Sequence, residues 1–460
     1  MNPESALDTK KIVEKGTEAD PIKKANLAIM EFLNLFSQGL RPNMRIVNEA
    51  VGGVETSLDY SGQVAKVSKV TQEFGKRGNM DYGFEPANVA KVAIVAENFG
   101  PLVHTIRRIQ ENNDKFAHDH LSLMFTATHD HVAFFVDPKK YEHVVKKVKD
   151  IAAKRGGDTL YGDSNIAIRN ADLLKRDPNG DIEPKRLKLL HKTLLGMGNT
   201  AAYGGDELGK TTSIPFAYKK AEELLTTVFK EVKDGLADIK VQLTKNPDEN
   251  TKKSLLETKK NLEKKFTFHK KVEIALKEQD KNKVPAPDSI LRKSSYDSVY
   301  DPRWIIRDPV TRAEMKAVMD PSNKSPQAQV FRDWQKLMDA RKKSLALYRP
   351  NRIRWVDSYD SEVGSWVVSH MYKDPEKLDK APWLADEVLV LTNPTKNTKQ
   401  VVVGDVEGVS NRFSSQELEF FEVESGKTLV EGRNYQFEGG KFIFNIAGDS
   451  AQWIQLRKKK

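Results

Sequence analysis

Across residues 1 to about 210, short apolar runs alternate with amphipathic stretches of helical period, and this alternation constrains the fold more than any other feature. Strands that alternate with helices pair in parallel, because each crossover helix brings the chain back to the same end of the sheet. A helix is expected over Pro21 to Phe36, with Asp20 as its N-cap and Pro21 at its first position. The segment Met44 to Asn48 reads as a strand that stops at Glu49. Val92 to Val95 is a second apolar run of strand length, Leu121 to Thr126 a third strand and Asn199 to Tyr203 a fourth. Helical spacing lies between them over Leu102 to Gln110, over Pro138 to Lys154 and near Lys185 to Leu195. In the second of these, Tyr141, Val144, Val145, Val148 and Ile151 share one face.

The pattern changes at residue 217. Ala221, Leu224, Leu225, Val228, Val232, Leu236 and Ile239 keep helical spacing, Asn246-Pro247-Asp248 interrupts it, and Leu255, Leu256, Leu262, Phe266 and Ile274 resume it. This predicts a long antiparallel helical hairpin, a structural or partner-binding arm. Pro285 to Pro326 is loop-rich, and Gln329 to Leu347 is helical with Phe331, Trp334, Leu337 and Met338 on its apolar side. From Arg354 onward the chain turns to short β runs, at 388–391, 400–403, 418–423 and 441–446, separated by Asn, Gly and Ser.

Composition narrows the chemistry. The 460 residues contain no cysteine, which excludes disulfides, thiolate nucleophiles and cysteine-zinc sites. The net charge of +10 comes from lysines interleaved with acids, as in Lys219, Lys220, Glu222 and Glu223, with no aromatic-basic alternation on which bases would stack. The charge therefore reads as solvation, and no nucleic-acid partner is expected. No run reaches the length of a membrane span and residues 1–11 show no secretory apolar stretch, so no membrane partner and a cytoplasmic location are expected.

Three acids stand where strand signals stop: Asp8 after Ser5-Ala6-Leu7, Glu49 after Ile46-Val47-Asn48, and Asp130 after Phe125 to His129. In parallel β/α barrels, reacting groups gather at the C-terminal ends of strands. Retaining glycosidases need a carboxylate nucleophile and a carboxylic acid about 5–5.5 Å apart. A further ionised acid would stabilise their cationic transition state.

Longer stretches carry a resemblance. Ala202-Tyr203-Gly204-Gly205-Asp206-Glu207-Leu208-Gly209, preceded by Leu194 to Thr200, resembles the eighth-strand signature Tyr-Tyr-Gly-Asp-Glu-x-Gly of glycoside hydrolase family 13, the α-amylase family. Phe125-Thr126-Ala127-Thr128-His129-Asp130 resembles that family's seventh-strand Phe-x-x-Asn-His-Asp, and Arg45 to Glu49 its fifth-strand segment. Leu7-Asp8-Thr9-Lys10-Lys11 resembles its fourth-strand motif. Asp308-Pro309-Val310-Thr311-Arg312-Ala313-Glu314-Met315 and Leu337 to Leu347 are similar to stretches that follow the barrel. The order agrees, as do the intervals of 41 residues (8 to 49) and 81 residues (49 to 130).

The resemblance implies an α/β fold: a partial (β/α)8 barrel of strands 4–8 with an inserted helical hairpin and a C-terminal all-β sandwich domain. Its parts would be the barrel over 1–216, the hairpin insertion over 217–284, the barrel completion over 285–348 and the β-sandwich over 349–460. It implies Asp8 as nucleophile, Glu49 as general acid/base and Asp130 as transition-state stabiliser. Lys11 and His129 would bind substrate, and the substrate class would be α-glucan oligosaccharides.

Differences accompany it. Ala6 stands where the family has an arginine beside the nucleophile, Gly204 where it has a second tyrosine, and Thr128 where it has asparagine. The family's first signature and first three strands would precede Met1, so the chain is expected to be a truncated remnant or to complement a separately encoded N-terminal barrel half. Two functions stay open: a retaining α-glucan hydrolase or transglycosylase, and a non-catalytic relative that keeps the scaffold for binding or assembly.

The remaining signals favour packing. The pairs His118/His120 and His129/His131 lack a third ligand at a recognised zinc spacing. The loop Asp177 to Glu183 alternates oxygen ligands like a calcium loop, but Ile182 and Lys188 occupy the positions that need Gly and Glu. An Asx-rich turn is the better reading, and no cofactor is expected beyond the calcium that some family members bind. Trp304, Trp355, Trp366 and Trp383 read as packing residues rather than sugar platforms.

Overall fold

The computed structural model describes residues 46–48, 79–81, 84–116, 123–126, 132–133, 141–160, 165–286, 289–292, 299–348, 350, 352–356, 362–370, 386–404 and 417–459. Strands β1 (Ile46–Asn48) and β2 (Asn79–Asp81) precede helices α1 (Phe84–Ala96) and α2 (Gly100–Phe116). Next come β3 (Leu123–Phe125), β4 (Val132–Ala133), α3 (Glu142–Lys154), β5 (Asp158–Leu160), β6 (Asn165–Ala167), α4 (Asn170–Leu173), α5 (Pro184–Leu195) and β7 (Asn199–Ala201). The long helices α6 (Ile214–Thr244) and α7 (Glu249–Glu278) follow, then α8 (Arg312–Met319), α9 (Pro326–Arg341) and α10 (Leu345–Tyr348). The remainder is β: β8 (Arg352–Trp355), β9 (Gly364–His370), β10 (Asp386–Asn393), β11 (Lys399–Val403), β12 (Leu418–Glu422), β13 (Lys427–Thr428), β14 (Tyr435–Glu438), β15 (Lys441–Ile446) and β16 (Ser450–Lys458).

The alternation in the first half does yield parallel pairing: β1 runs parallel to β2, and β3 to β7 with Phe125 opposite Ala201. Between β3 and β7 lies an antiparallel ladder, β4-β6-β5, that the sequence pattern did not suggest. The apolar run Val92 to Val95 is no strand; it belongs to α1. Ala87, Ala90, Ala93 and Ala96 supply helix propensity there, and the helix is apolar nearly all round because it is buried nearly all round. Four consecutive apolar residues suit a buried helix as well as a strand.

Helix α3 keeps the expected stripe, burying Val144, Val148 and Ala152 at four-residue intervals. Helices α6 and α7 pack together as the periodicity at 217–279 predicts, and Asp248 caps α7 by accepting the N–H of Thr251 at 2.9 Å. The base of this pair is anchored in a core of Ala217, Tyr218, Leu225, Val272 and Leu276 with Val299, Tyr300 and Ile305. The pair beyond it is bordered mainly by exposed residues.

The C-terminal strands form a six-stranded antiparallel sheet, β13-β12-β16-β10-β9-β8, and a three-stranded one, β11-β15-β14. Successive residues of the larger sheet enter different cores. Trp366, Val368, Val388, Val390 and Trp453 pack with the helices, against Leu190, Leu194 and Phe99. Val367, Leu389, Leu391 and Ile454 pack with Val401, Phe442 and Phe444 of the smaller sheet. A period of two along each strand thus serves two cores, which is why β9 and β10 are buried at nearly every position.

Polar joints fix this layer to α5. The last carbonyls of a helix have no partner within it. Here the indole of Trp453 donates to the carbonyl of Lys192 at 3.1 Å, and that of Trp366 to the carbonyl of Gly196 at 2.8 Å. Beside them Arg176 and Arg186 hold Asp449 at 2.7 and 2.8 Å, and both donate to the carbonyl of Pro394. Glu424 receives Lys188 and Lys192; burial alone would raise its pKa, but these two cations hold it down at about 2. The loop after Asp177 is an Asx turn, in which Asp177 Oδ1 accepts the N–H of Asn179 at 3.0 Å.

Replacing Trp366 by Phe keeps an aromatic ring but leaves the Gly196 carbonyl without this buried donor. Urea denaturation of the variant is expected to show a loss of about 1–3 kcal/mol; an unchanged midpoint would mean the joint contributes nothing.

Candidate functional site

The β3–β7 ladder ends at two of the motifs singled out in the sequence. Thr126 directly follows β3 and is fully buried; its hydroxyl accepts the backbone N–H of Tyr203, just beyond β7, at 2.9 Å. Its carbonyl accepts Asn170 Nδ2 at 2.7 Å, and the same amide donates to Asp206 Oδ2 at 3.0 Å. The ends of the two parallel strands are therefore tied together through one side-chain amide at the start of α4.

Around Asp206 the charges are dense and dry. Arg169 Nη1 lies 3.8 Å from Asp206 Oδ1 and donates to the carbonyl of Gly204 at 2.9 Å. The guanidinium carbon also sits 5.0 Å from the centre of the Tyr203 ring. Lys91 enters from α1, wholly buried, with its ammonium 5.6 Å from the centre of the Phe125 ring and no hydrogen-bond partner among the described residues. Burial pushes the Lys91 ammonium down to about 8, although Asp206 opposes this. Burial likewise raises Asp206, although Arg169, Thr126, Lys91 and Asn170 all favour its charged form. Glu207 is raised by burial too, against the N–H of Gly205, which it accepts at 3.0 Å.

Local backbone geometry explains the glycines. Gly205 at φ 104° and Gly209 at φ 62° bracket the single 3-10 turn Asp206–Leu208, and both lie where side chains are strained. A Cβ at 209 would also come within 2.9 Å of Ile182 Cδ1. Gly204 differs: a Cβ there would meet nothing within 4 Å, so no steric demand requires a glycine at this position.

The Asp308 motif joins the same site. Lys210 Nζ donates to the carbonyl of Pro309 at 2.8 Å and pairs with Asp308 at 3.1 Å and Glu314 at 2.9 Å. Glu314 and Thr311 form the capping box of α8. On the other side, Asp172 accepts the N–H of Thr212, and Arg169 N donates to Thr212 Oγ1 at 3.0 Å. Three separate segments, 169–172, 203–212 and 308–314, are locked around one buried carboxylate.

The side chains named from sequence as Asp8, Lys11, Glu49, His129 and Asp130 lie outside the described residues, as do His118, His120 and His131. Glu49 is the next residue after β1, and Asp130 follows Thr126 by four positions in the chain. Sequence reasoning missed Arg169, Asn170 and Lys91. A lone cation inside the apolar stretch Val89 to Val95, and Arg-Asn closing the run Ile166-Ala167-Ile168, were the available signals.

Of the tryptophans, Trp355 and Trp366 are buried and stacked, their centroids 6.1 Å apart. Trp304 is half-buried against Phe216, and Trp383 lies outside the described residues.

No protein-family model matches the chain, and no curated protein matches it. Solved structures do. The chain is similar in structure to α-amylases. With the α-amylase from H. orenii it shares 12% identity at a TM-score of 0.46, over 96% of this chain and 58% of that one. With sucrose 6F-phosphate phosphorylase from Thermoanaerobacter thermosaccharolyticum the values are 12% and 0.41, over 83% and 54%. With the maltogenic α-amylase AmyB from Thermotoga neapolitana they are 9% and 0.38, over 96% and 67%. The chain thus spans well under two thirds of the first two structures.

The charged groups of the Asp206 cluster are closed to solvent, and its hydrogen bonds hold the ends of β3 and β7 together. A buried cation with no hydrogen-bond partner among the described residues lowers stability, so Lys91→Met is expected to raise it by about 1–3 kcal/mol at neutral pH. The folded protein holds the Lys91 proton less tightly than the unfolded chain does, so wild-type stability rises from pH 8 to 10.5. The advantage of the methionine variant should shrink over that same interval in denaturation curves. A gain that stays constant with pH would contradict the assignment.

Proposed function

We propose that the chain is a member of glycoside hydrolase family 13 that acts on α-glucan oligosaccharides by a retaining double displacement. The observation that supports this best is the link between Thr126 and Tyr203 at the ends of the parallel strands β3 and β7. Two segments chosen from sequence as consecutive strand-end motifs are held side by side, as a barrel rim requires. In this reading Asp8 attacks the anomeric carbon, Glu49 protonates the leaving oxygen and then activates water or a second sugar, and Asp130 stabilises the oxocarbenium-like state. His129 and Lys11 hold sugar hydroxyls. The Asp206–Asn170–Thr126 network fixes Thr126 at the end of β3, four residues before Asp130 in the chain.

The fold reading that goes with this is a partial (β/α)8 barrel of strands 4–8, interrupted by the α6–α7 insertion and closed by a β-sandwich made of the two C-terminal sheets. A separately encoded partner would supply the remaining strands.

A second reading has its own support. Ala6 stands where the family has an arginine, and without that cation Asp8 would lose the charge pair that keeps a nucleophilic carboxylate ionised. A relative so altered would bind glucan without cleaving it.

The test is the purified full chain on maltodextrin, with anomeric configuration followed by NMR. Turnover with retention, reduced about 10²–10⁴-fold in Glu49→Gln, is the expected result for the catalytic reading. Saturable maltodextrin binding without turnover supports the second. Neither binding nor turnover would remove both.

A further inference from the structure

Helix α7 contains four Lys-Lys doublets, at 252/253, 259/260, 264/265 and 270/271. The structure separates their members. Lys252, Lys259 and Lys270 are ion-paired along the helix, with Glu249, Glu263 and Glu273, and Lys277 also pairs with Glu273. Lys253, Lys260, Lys264 and Lys271 are exposed and have no ion-pair or hydrogen-bond partner among the described residues.

The four unpaired cations are not scattered. At about 100° per residue, their offsets of 7, 11 and 18 residues place them within about 20° of one line along the helix. At about 1.5 Å per residue that line is roughly 27 Å long. It faces away from α6, since the buried side of α7 carries His269, Val272 and Leu276. Two aliphatic side chains, Leu256 and Ile274, are 48% and 56% exposed. Both sit about 60° from the line and on the same side of it. Within the stretch that the four lysines span, one acid is close to the line, Glu257, about 40° off on the other side; Glu249 and Glu278 lie beyond its two ends, about 40° and 20° off.

We infer that this face of α7 docks on an anionic lipid surface. A plane touches a cylinder along a single line, and that line is where the free ammonium groups stand. Their uneven spacing, about 10.5, 6 and 10.5 Å, suits fluid headgroups, which need no register, better than a polymer of fixed repeat. Leu256 and Ile274 can reach the acyl boundary beside the headgroups, a contact that a phosphodiester backbone does not reward. No helix among the described residues is long and apolar enough to cross a membrane, and a surface contact requires none. Each lysine near an anionic surface contributes about 1 kcal/mol, equivalent to about fivefold in partitioning.

The experiment is co-sedimentation of the full chain with phosphatidylcholine vesicles containing phosphatidylserine. Binding is expected at low salt, and it should weaken as salt rises and vanish without phosphatidylserine. The decisive comparison is between two quadruple variants of equal charge. Replacing Lys253, Lys260, Lys264 and Lys271 by Gln should lower partitioning by about two to three orders of magnitude. Replacing Lys252, Lys259, Lys270 and Lys277 should leave it within about fivefold of wild type, the worth of a single lysine. Circular dichroism melts report whether each variant keeps its helices, and Leu256→Ser with Ile274→Ser tests the aliphatic contribution without touching charge. Equal losses in both lysine variants would reduce the effect to net charge and overturn the proposal. So would binding of duplex DNA or an acidic polypeptide with none to vesicles.

Discussion

The six-stranded sheet is the layer that the rest of the molecule needs. Its central strands β9 and β10 are buried at odd and even positions alike, so neither face can meet water there. One face is closed by the helices around α5 and the other by the three-stranded sheet. The apolar core therefore runs without a break from Ala87 in α1 to Trp453 in β16. Burial of this kind is not directional; direction comes from the two indole donors at the end of α5 and from the arginines gripping Asp449. These set one position of sheet on helix among the many that greasy contact alone would allow.

The Asp206 cluster obeys a different logic. A carboxylate, a guanidinium and an ammonium are all withdrawn from water, and desolvating them costs more than an apolar core of equal volume would. What they supply is placement. Arg169 reaches the carbonyls of Gly204 and Asp308, and Asn170 reaches Thr126 and Asp206, so strand ends distant in sequence are fixed by a few hydrogen bonds. Rigidity at strand ends is what a reacting centre on neighbouring loops requires.

Much of the scaffold was legible in the residues. The long periodicity beginning at 217 gave α6 and α7, with Asn246-Pro247-Asp248 marking the turn and Asp248 the cap. The β runs after Arg354 gave β10, β11, β12 and β15 close to their observed limits. The strand reading of Val92 to Val95 failed because burial on all sides erases the periodicity that distinguishes helix from strand. The two-faced role of β9 and β10 was hidden for the same reason, since a strand between two cores shows no alternation of polar and apolar. At the Asp206 cluster, the glycine-rich motif and the Asp308 motif are two of the three segments that meet. Lys91 and Arg169 escaped notice because their roles depend on neighbours distant in sequence, Asp206 for Lys91 and Gly204, Asp206 and Asp308 for Arg169.

Helices α6 and α7 are long and are anchored at one end only. At about 1.5 Å per residue, the 31 residues of α6 make a rod of roughly 45 Å. Its foot, at Ala217 and Tyr218, shares a core with Ala167 in β6, two residues before Arg169. Such a rod is a lever. A tilt of about 10° at the foot sweeps the far tip through about 8 Å, by the same rise per residue, so a small shift beneath the buried carboxylate and a large excursion at the tip are one motion viewed from opposite ends.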